Sequence, residues 1–533
     1  MTQKANKLRG VVTMLVAMVA TLSLSAAEPI VSMRQVRDMA KDAKIMEVGD
    51  DICIEGYAIG KPHGHNNDMN IQVHYASLKN DDLATIYVES LSGDVGLRLK
   101  VVDRKTAQRI PRYSRVTLSL KGTTLRCDEP CRVTVEGVAD ENILQITQCS
   151  AKDLPLKERR IGELCDDDVY TYVTLKDCEF VFKDGAYSNV YERYVQSTPI
   201  NRKVKPNKSM DGWASLLCDK HGSSIYALVN TLCAWRRDGS GVPQGAGDMK
   251  GIITCEKHDR YGGDVFGRYT LRPVDQEDYA MEWPAPNSCY KAIAEWNWND
   301  NKKALSTEFG EAESVTTERI LADIGKGSLR IPTNCEAIRG RDTNNTRVDA
   351  GKEPGTKGFG GFVRYGALSV KAAASSWWDW KKNCGKGVEV EFSTKGISGE
   401  RLIFGFSFAA GVISPETSYG FPVFWDVEYS TDGKTWSRVE GSKPKKLRSL
   451  PWHWDKPVHG IHYDSILAGA GYTEHMVVLP KSLFDKAKVY VRVVPVAKNL
   501  ATLGYDYAEN GALRPNTMIE TTINFGSFVV RYN

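Results

Sequence analysis

Val427-Glu428-Tyr429-Ser430-Thr431-Asp432-Gly433-Lys434-Thr435-Trp436 reads as a strand, a tight turn and the start of a returning strand. Alternating side chains lead to Ser430, Asp432-Gly433 supplies the turn chemistry, and Trp436 is expected to fold back onto the core. Similar runs flank it. Val388–Ser393 and Lys488–Val494 alternate apolar and polar residues, as half-buried strands require. Leu402–Phe408, Phe421–Ser430, Trp436–Val439, Met476–Leu479 and Phe525–Arg531 complete a set of strands for a β-sandwich.

The N-terminal half has the same character. Arg115–Lys121 and Arg132–Val138 alternate, and 46 Gly and 21 Pro punctuate the chain at short intervals. Helix is scarce. The best segment is Met33–Ala43, with Met33, Val36, Ala40 and Ala43 on one face and Ser32 and Gln35 placed as a capping box. Two stretches also share an order of features. Ile52–Tyr57, Gly96–Lys100, Leu120–Thr124 and Ile143–Thr147 are matched by Val173–Cys178, Ser224–Leu228, Met249–Ile253 and Arg268–Pro273. Each copy holds about five strands, the count of an OB-like barrel. Residues 304–365 are polar and glycine-rich and read as a loop. Their glycines do not follow a strand and open a helix, so a phosphate cradle is not expected.

The chain has 533 residues, and Lys+Arg 70 against Asp+Glu 66 leaves a net charge of +4. Lys4, Lys7 and Arg9 precede the apolar run Val11–Leu24, and Ser25-Ala26-Ala27 offers small residues for cleavage. That layout is a secretory signal, and the run is shorter than the roughly 20 residues a membrane span needs. No second apolar segment is long enough to span. Removing the signal leaves a near-neutral chain, which argues against a generic pull toward nucleic acid or anionic membrane. The expected location is the periplasm, the cell surface or the medium.

Chemistry-bearing motifs are few. There is no Gly-x-Ser-x-Gly elbow, no His-Glu-x-x-His and no paired zinc-ligand spacing, so no catalytic residue, metal or cofactor is assigned. His63-Gly64-His65 with Asp68 reads as a solvated turn. Cys127 and Cys131 flank a turn and read as free thiols or one local bridge. Aromatic clusters are the more informative signal. Trp377, Trp378 and Trp380 stand beside Lys381, Lys382 and Asn383, while Trp452, His453 and Trp454 stand close to His459 and His462. Exposed indole faces stack on sugars as neighbouring polar groups bond the hydroxyls; the competing role for the same residues is core packing. In the N-terminal half, Trp213, Trp235, Arg236, Arg237, Tyr261 and the basic run Arg202–Lys205 with Lys208 are the corresponding candidates for a polymer-binding face.

Ile54–Tyr57, Ala84–Ser90, Val95–Leu99, Leu120–Leu125, Asn142–Leu144, Leu175–Phe180 and Gly267–Pro273 resemble a family of secreted Bacteroidetes proteins of unknown function with N-terminal OB-like modules. The motif Val427–Trp436, with Phe392–Gly396 and Val489–Arg492, resembles a discoidin-like, galactose-binding-type jelly roll. These resemblances imply an all-β protein: a signal peptide over 1–27, OB-like domains over 28–155 and 156–283, a linker over 284–303 and a jelly-roll β-sandwich over 304–533. The resulting expectation is an exported binding protein for a glycan or a cell-surface protein, using Trp452, His453, Trp454, His459, Trp377, Trp378 and Trp380. The alternative is an enzyme or accessory module on extracellular nucleic acid or polysaccharide, with the OB-like half contacting the polymer.

Overall fold

The computed structural model describes residues 29–62, 66–67, 84–183, 189–190, 212–229, 233, 237–238, 242–256, 266–278, 283–298, 313–314, 319–332, 335–340, 359–360, 367–373, 377–379, 384–411, 425–441, 447, 473–496 and 520–533. The expected signal segment, His63–His65, Asp68, the basic run 202–208, Trp235, Arg236 and Tyr261 lie outside them. The described chain is all-β with two short α-helices. Helix Met33–Ala43 opens with the anticipated capping box: Gln35 N donates to Ser32 Oγ at 3.2 Å, and Ser32 N donates to Gln35 Oε1 at 2.9 Å. Met33, Val36 and Ala40 are buried, but Ala43 is exposed because the helix ends there, at Lys44.

The first barrel closes through Cys53–Ala58, Thr85–Ser90, Gly96–Val101, a fourth strand in two halves, and Arg132–Val138. Pairing runs first to second (Gly56↔Ser90), second to third (Tyr87↔Arg98) and third to fifth in parallel (Leu99↔Val135). The fifth strand meets Thr124–Glu129, and Ser114–Ser119 returns to the first strand. Gly122, at φ +75°, forms the turn that splits the fourth strand. The second barrel uses Tyr172–Phe180, Ser215–Asp219, Ser224–Ala227, Gly247–Thr254 and Thr270–Arg272 in the same ring order, again with a parallel third–fifth pair (Tyr226↔Thr270). This is the strand order of an OB barrel. The structure re-aligns the repeat in two places. Lys121-Gly122 is a turn whereas Lys250-Gly251 lies within a strand. The partner of the closing strand Thr270–Arg272 is Arg132–Val138, since Ile143–Gln148 adds outside the first ring, beside Ser114–Ser119.

A sandwich of two sheets follows. One contains Lys291–Trp296, Cys335–Gly340, Ala367–Ala373, Leu402–Gly411, Thr473–Leu479 and Glu520–Tyr532; the other contains Gly327–Arg330, Val388–Phe392, Trp425–Ser430 and Val489–Pro495. Trp296, Phe404, Phe406, Phe408, Trp425, Val491, Phe525 and Phe528 fill the space between them. The linker expected over 284–303 is corrected: Lys291–Trp296 pairs with Glu520–Tyr532 inside the first sheet, and Trp296 is fully buried. The loop expected over 304–365 is corrected too, because Gly327–Arg330 and Cys335–Gly340 are paired strands. Gly433 makes the anticipated turn at φ +69°, with the Asp432 carboxylate accepting from Lys434 N (2.8 Å) and Thr435 N (2.7 Å). Trp436 does not enter the core; it is half-buried under the Arg492 guanidinium, 4.0 Å from the ring centroid, while Trp425 takes the core position.

The barrels join along the second and third strands of the first. Ile86 and Val88 point into its core, whereas Tyr87 and Glu89 point outward. Tyr87 lies 5.4 Å from the Tyr170 ring, and the Glu89 carboxylate accepts from Tyr172 N at 2.9 Å. At Gly96 an added Cβ would fall 1.8 Å from the Tyr170 carbonyl oxygen, so only glycine lets the two backbones approach this closely. Arg112 bridges to Asp275 at 2.8 Å and Asp278 at 3.2 Å.

Burial pushes the Glu89 carboxyl up from 4.5 to about 8, against the Tyr172 N–H and the Lys157 ammonium, which is itself held by Asp168. In that window the folded chain keeps a proton that the unfolded chain has released, so this group makes stability fall as pH rises. Glu89→Gln should flatten the decline in thermal midpoint between pH 5 and 8. A slope as steep as that of the parent protein would place the titration elsewhere.

A candidate cavity between the second barrel and the sandwich

The sandwich packs on the second and third strands of the second barrel. Leu216 and Cys218 meet Ile403 and Val529, with Val181, Phe182 and Tyr290 completing the apolar seam and Tyr226 and Met476 packed against it. Gly405 makes room for this contact, since a Cβ there would sit 2.8 Å from a Val181 methyl. Polar groups lock the seam. The buried Glu474 carboxylate accepts from Leu216 N at 2.7 Å, and its backbone carbonyl accepts from the Tyr226 hydroxyl. Arg401 Nε donates to the His221 carbonyl at 2.7 Å, and Arg531 donates to the Val181 carbonyl at 2.9 Å while pairing with Glu295.

A cavity of about 180 Å³ opens beside this seam, lined by Ser224, Tyr226, Phe266, Leu447, His475 and Met476 among others. The Tyr226 and Phe266 rings meet edge to face, 5.1 Å apart. The strand Thr473–Leu479 places His475 opposite Phe406, and the imidazole is held between Phe406 and Phe408 at 5.4 and 5.6 Å. Such a wall offers aromatic faces for the C–H side of a sugar and the Ser224 hydroxyl for its oxygens, whereas the His475 imidazole is buried against the core phenylalanines. A second cavity of about 110 Å³ is lined by Phe182, Lys183, Gln244, Glu295, Asn297 and Arg531. There burial pushes the Lys183 ammonium below its usual range, opposed by Glu179.

The tryptophans separate into three fates. Trp377 is a core residue, wholly buried against Trp425 at 5.5 Å and Phe525 at 6.3 Å, and this corrects its assignment to a binding surface. Trp378 is described in its backbone alone, in a short strand paired with Cys384–Gly385. Trp380, Trp452, His453, Trp454 and His459 lie outside the described residues. Leu447 and Thr473 bracket residues 448–472 in sequence, and Leu447 and His475 both line the larger cavity. Tyr226, Phe266 and His475 were not marked by the sequence, since each stands in a different segment and none belongs to an aromatic cluster. Among the described residues no group of His, Cys, Asp and Glu is arranged to hold a metal, and no helix is long and apolar enough to cross a membrane.

No family model and no curated relative matches the chain. Among solved structures, a GH115 4-O-methyl-α-glucuronidase overlaps at 8% identity and TM-score 0.16, covering 48% of this chain and only 20% of that one. A carbohydrate-binding module described as recognising mannan overlaps at 11% identity and TM-score 0.18, over 46% of this chain and 98% of the module. The K3 adhesin domain of Lys-gingipain from Porphyromonas gingivalis overlaps at 13% identity and TM-score 0.15, over 38% of this chain and 92% of the domain. Overlaps of this size support no argument about function.

Glu474 closes the seam from the sandwich side. Glu474→Ala strips the acceptor from the buried Leu216 N–H and should destabilise the protein by about 1–3 kcal/mol, read from urea unfolding. An unchanged midpoint would show that the seam does not depend on this carboxylate.

Proposed function

We propose that this chain is an exported, non-enzymatic carbohydrate-binding protein that receives its sugar at the cavity between the second barrel and the sandwich. The observation that carries this reading is the Tyr226–Phe266 edge-to-face pair, set with His475 and Ser224 around a space of about 180 Å³. Residues 448–472, which bear Trp452, His453, Trp454 and His459, connect Leu447 to Thr473 and extend the site in this proposal. Export rests on the basic start, apolar run and small-residue cleavage site over 1–27. The modules assigned are barrels over about 28–155 and 156–283, and a sandwich whose first strand begins at Lys291.

Polymer contact by the OB-like half is the weaker reading. An OB barrel ordinarily meets oligonucleotides and oligosaccharides on the face of its second and third strands. Here Tyr87 and Glu89 give that face of the first barrel to the second, and Leu216 and Cys218 give that face of the second to the sandwich.

The test is a glycan array probed with the full chain lacking residues 1–27, followed by calorimetric titration of any sugar retained. Tyr226→Ala and Phe266→Ala should each weaken binding by about tenfold, which is ~1.4 kcal/mol. Trp452→Ala with Trp454→Ala should weaken it as well. Sugar affinity unmoved by all of these substitutions, in variants with native melting curves, would remove the site. Binding to single-stranded DNA that falls steeply with salt would favour the polymer reading instead.

A further inference from the structure

We infer that the smaller cavity is a second sugar site, one that takes a pair of neighbouring hydroxyl groups on the edge of a neutral sugar. Its floor is set by strand register. Ile324, Glu295 and Val529 stand side by side on three adjacent strands of the sandwich, and Ser527 and Arg531 flank Val529 on the same face. The second barrel supplies the opposite wall with Phe182, Lys183 and Gln244. At about 110 Å³ the space equals roughly four waters at ~30 Å³ each, room for one hydroxylated edge rather than a whole ring.

The bonds made inside the protein leave defined groups for a ligand. Arg531 commits Nε to Glu295 and Nη1 to the Val181 carbonyl, so Nη2 remains as a donor. Lys183 Nζ donates to Ser288 Oγ at 3.1 Å and has further hydrogens to give. Gln244 commits its amide nitrogen to the Lys183 and Val242 carbonyls, at 2.7 and 3.1 Å, so its own carbonyl oxygen is the open end. Glu295 accepts from Arg531 through Oε1, which leaves Oε2. Donors from Arg531 and Lys183 therefore face acceptors from Gln244 and Glu295, with the Phe182 ring as the apolar side.

Charge selects the class of ligand. Lys183 and Arg531 are opposed by Glu295 and by the fully buried Glu179, whose Oε2 accepts from Ser288 Oγ and Cys289 N, each at 2.7 Å. Glu179 Oε1 has no hydrogen-bond partner and lies 4.0 Å from Lys183 Nζ and 3.7 Å from Arg531 Nη1. An anion placed here would meet two carboxylates, one with an unbonded oxygen, and a cation would meet two cations. A hydroxyl both donates and accepts, so neighbouring hydroxyls satisfy the set without adding charge. The C–H face of the same sugar edge then rests on Phe182.

Naming a sugar rests on the carbohydrate-binding reading, and the experiment separates this site from the larger cavity. The chain lacking residues 1–27 is acetylated with acetic anhydride in a concentration series of the methyl glycosides of glucose, galactose, mannose and xylose, and each lysine is read by mass spectrometry. At least one glycoside should slow modification of Lys183 several-fold and leave the exposed Lys395 unaffected. Ile324 lines the cavity at 46% exposure, so Ile324→Trp closes it without removing a polar group and should abolish the protection. Gln244→Ala should raise the glycoside concentration needed by about two- to tenfold. Protection of Lys183 that Phe266→Ala does not move keeps this site even if the larger cavity binds nothing. Glycan binding lost in Phe266→Ala, with Lys183 unprotected in the parent, leaves the larger cavity standing and overturns this one. Absence of protection by every glycoside, protection that persists in Ile324→Trp, or stronger protection by acetate or phosphate would also overturn it. Should Ile324→Trp fail to fold, Lys183 protection in the parent and in Gln244→Ala decides.

Discussion

Arg531 is the contact on which the arrangement of modules depends. Its guanidinium is buried to 3% exposure on the long strand Glu520–Tyr532, where it pairs with Glu295, donates to the Val181 carbonyl and lies 3.7 Å from Glu179. Glu295 belongs to the neighbouring sandwich strand, and Glu179 and Val181 belong to the second barrel. A charge withdrawn from water this far is tolerated only with partners in place, and removing one partner of such a pair costs about 3–5 kcal/mol. One side chain therefore holds two sandwich strands and the adjoining barrel in a single geometry. Both cavities border this seam.

The two barrels spend their outward faces on each other and on the sandwich. In the first, alternation along Thr85–Ser90 sends Ile86 and Val88 inward and Tyr87 and Glu89 to the second barrel. In the second, Leu217 points inward while Leu216 and Cys218 meet the sandwich. Surfaces that in a solitary barrel would be open to a ligand thus become joints. What stays open is the space where curved surfaces meet imperfectly, and that is where Tyr226, Phe266 and His475 gather.

Much of the fold was readable because a half-buried strand writes its environment into its sequence. Val388–Phe392 alternates buried and half-buried residues, and its boundaries were recovered to within a residue. The Ser32–Gln35 cap and the Asp432-Gly433 turn were equally legible, since their chemistry is local. Lys291–Trp296 was hidden because its last four residues are all buried and so do not alternate, and because Pro284 and Pro286 precede it. The site was less legible still. Ser224, Tyr226, Phe266 and His475 come from separate segments, and Glu474 and Arg531 look in sequence like ordinary solvated charges. Trp377 shows the converse: a cluster that looks suited to sugars supplies a residue to the core.

The pairing of Lys291–Trp296 with Glu520–Tyr532 also sets a kinetic condition. Arg531 and Glu295 are 236 residues apart in sequence, so the strand that begins the sandwich has to await its central neighbour until almost all of the module has been made. Contacts of such high sequence separation slow folding, because the entropy of closing the loop is lost before any pairing is gained. The barrels, closed by nearer strands, can form ahead of it. On this ground the sandwich is expected to fold after the barrels, and until it closes the barrel face carrying Leu216 and Cys218 would stand uncovered.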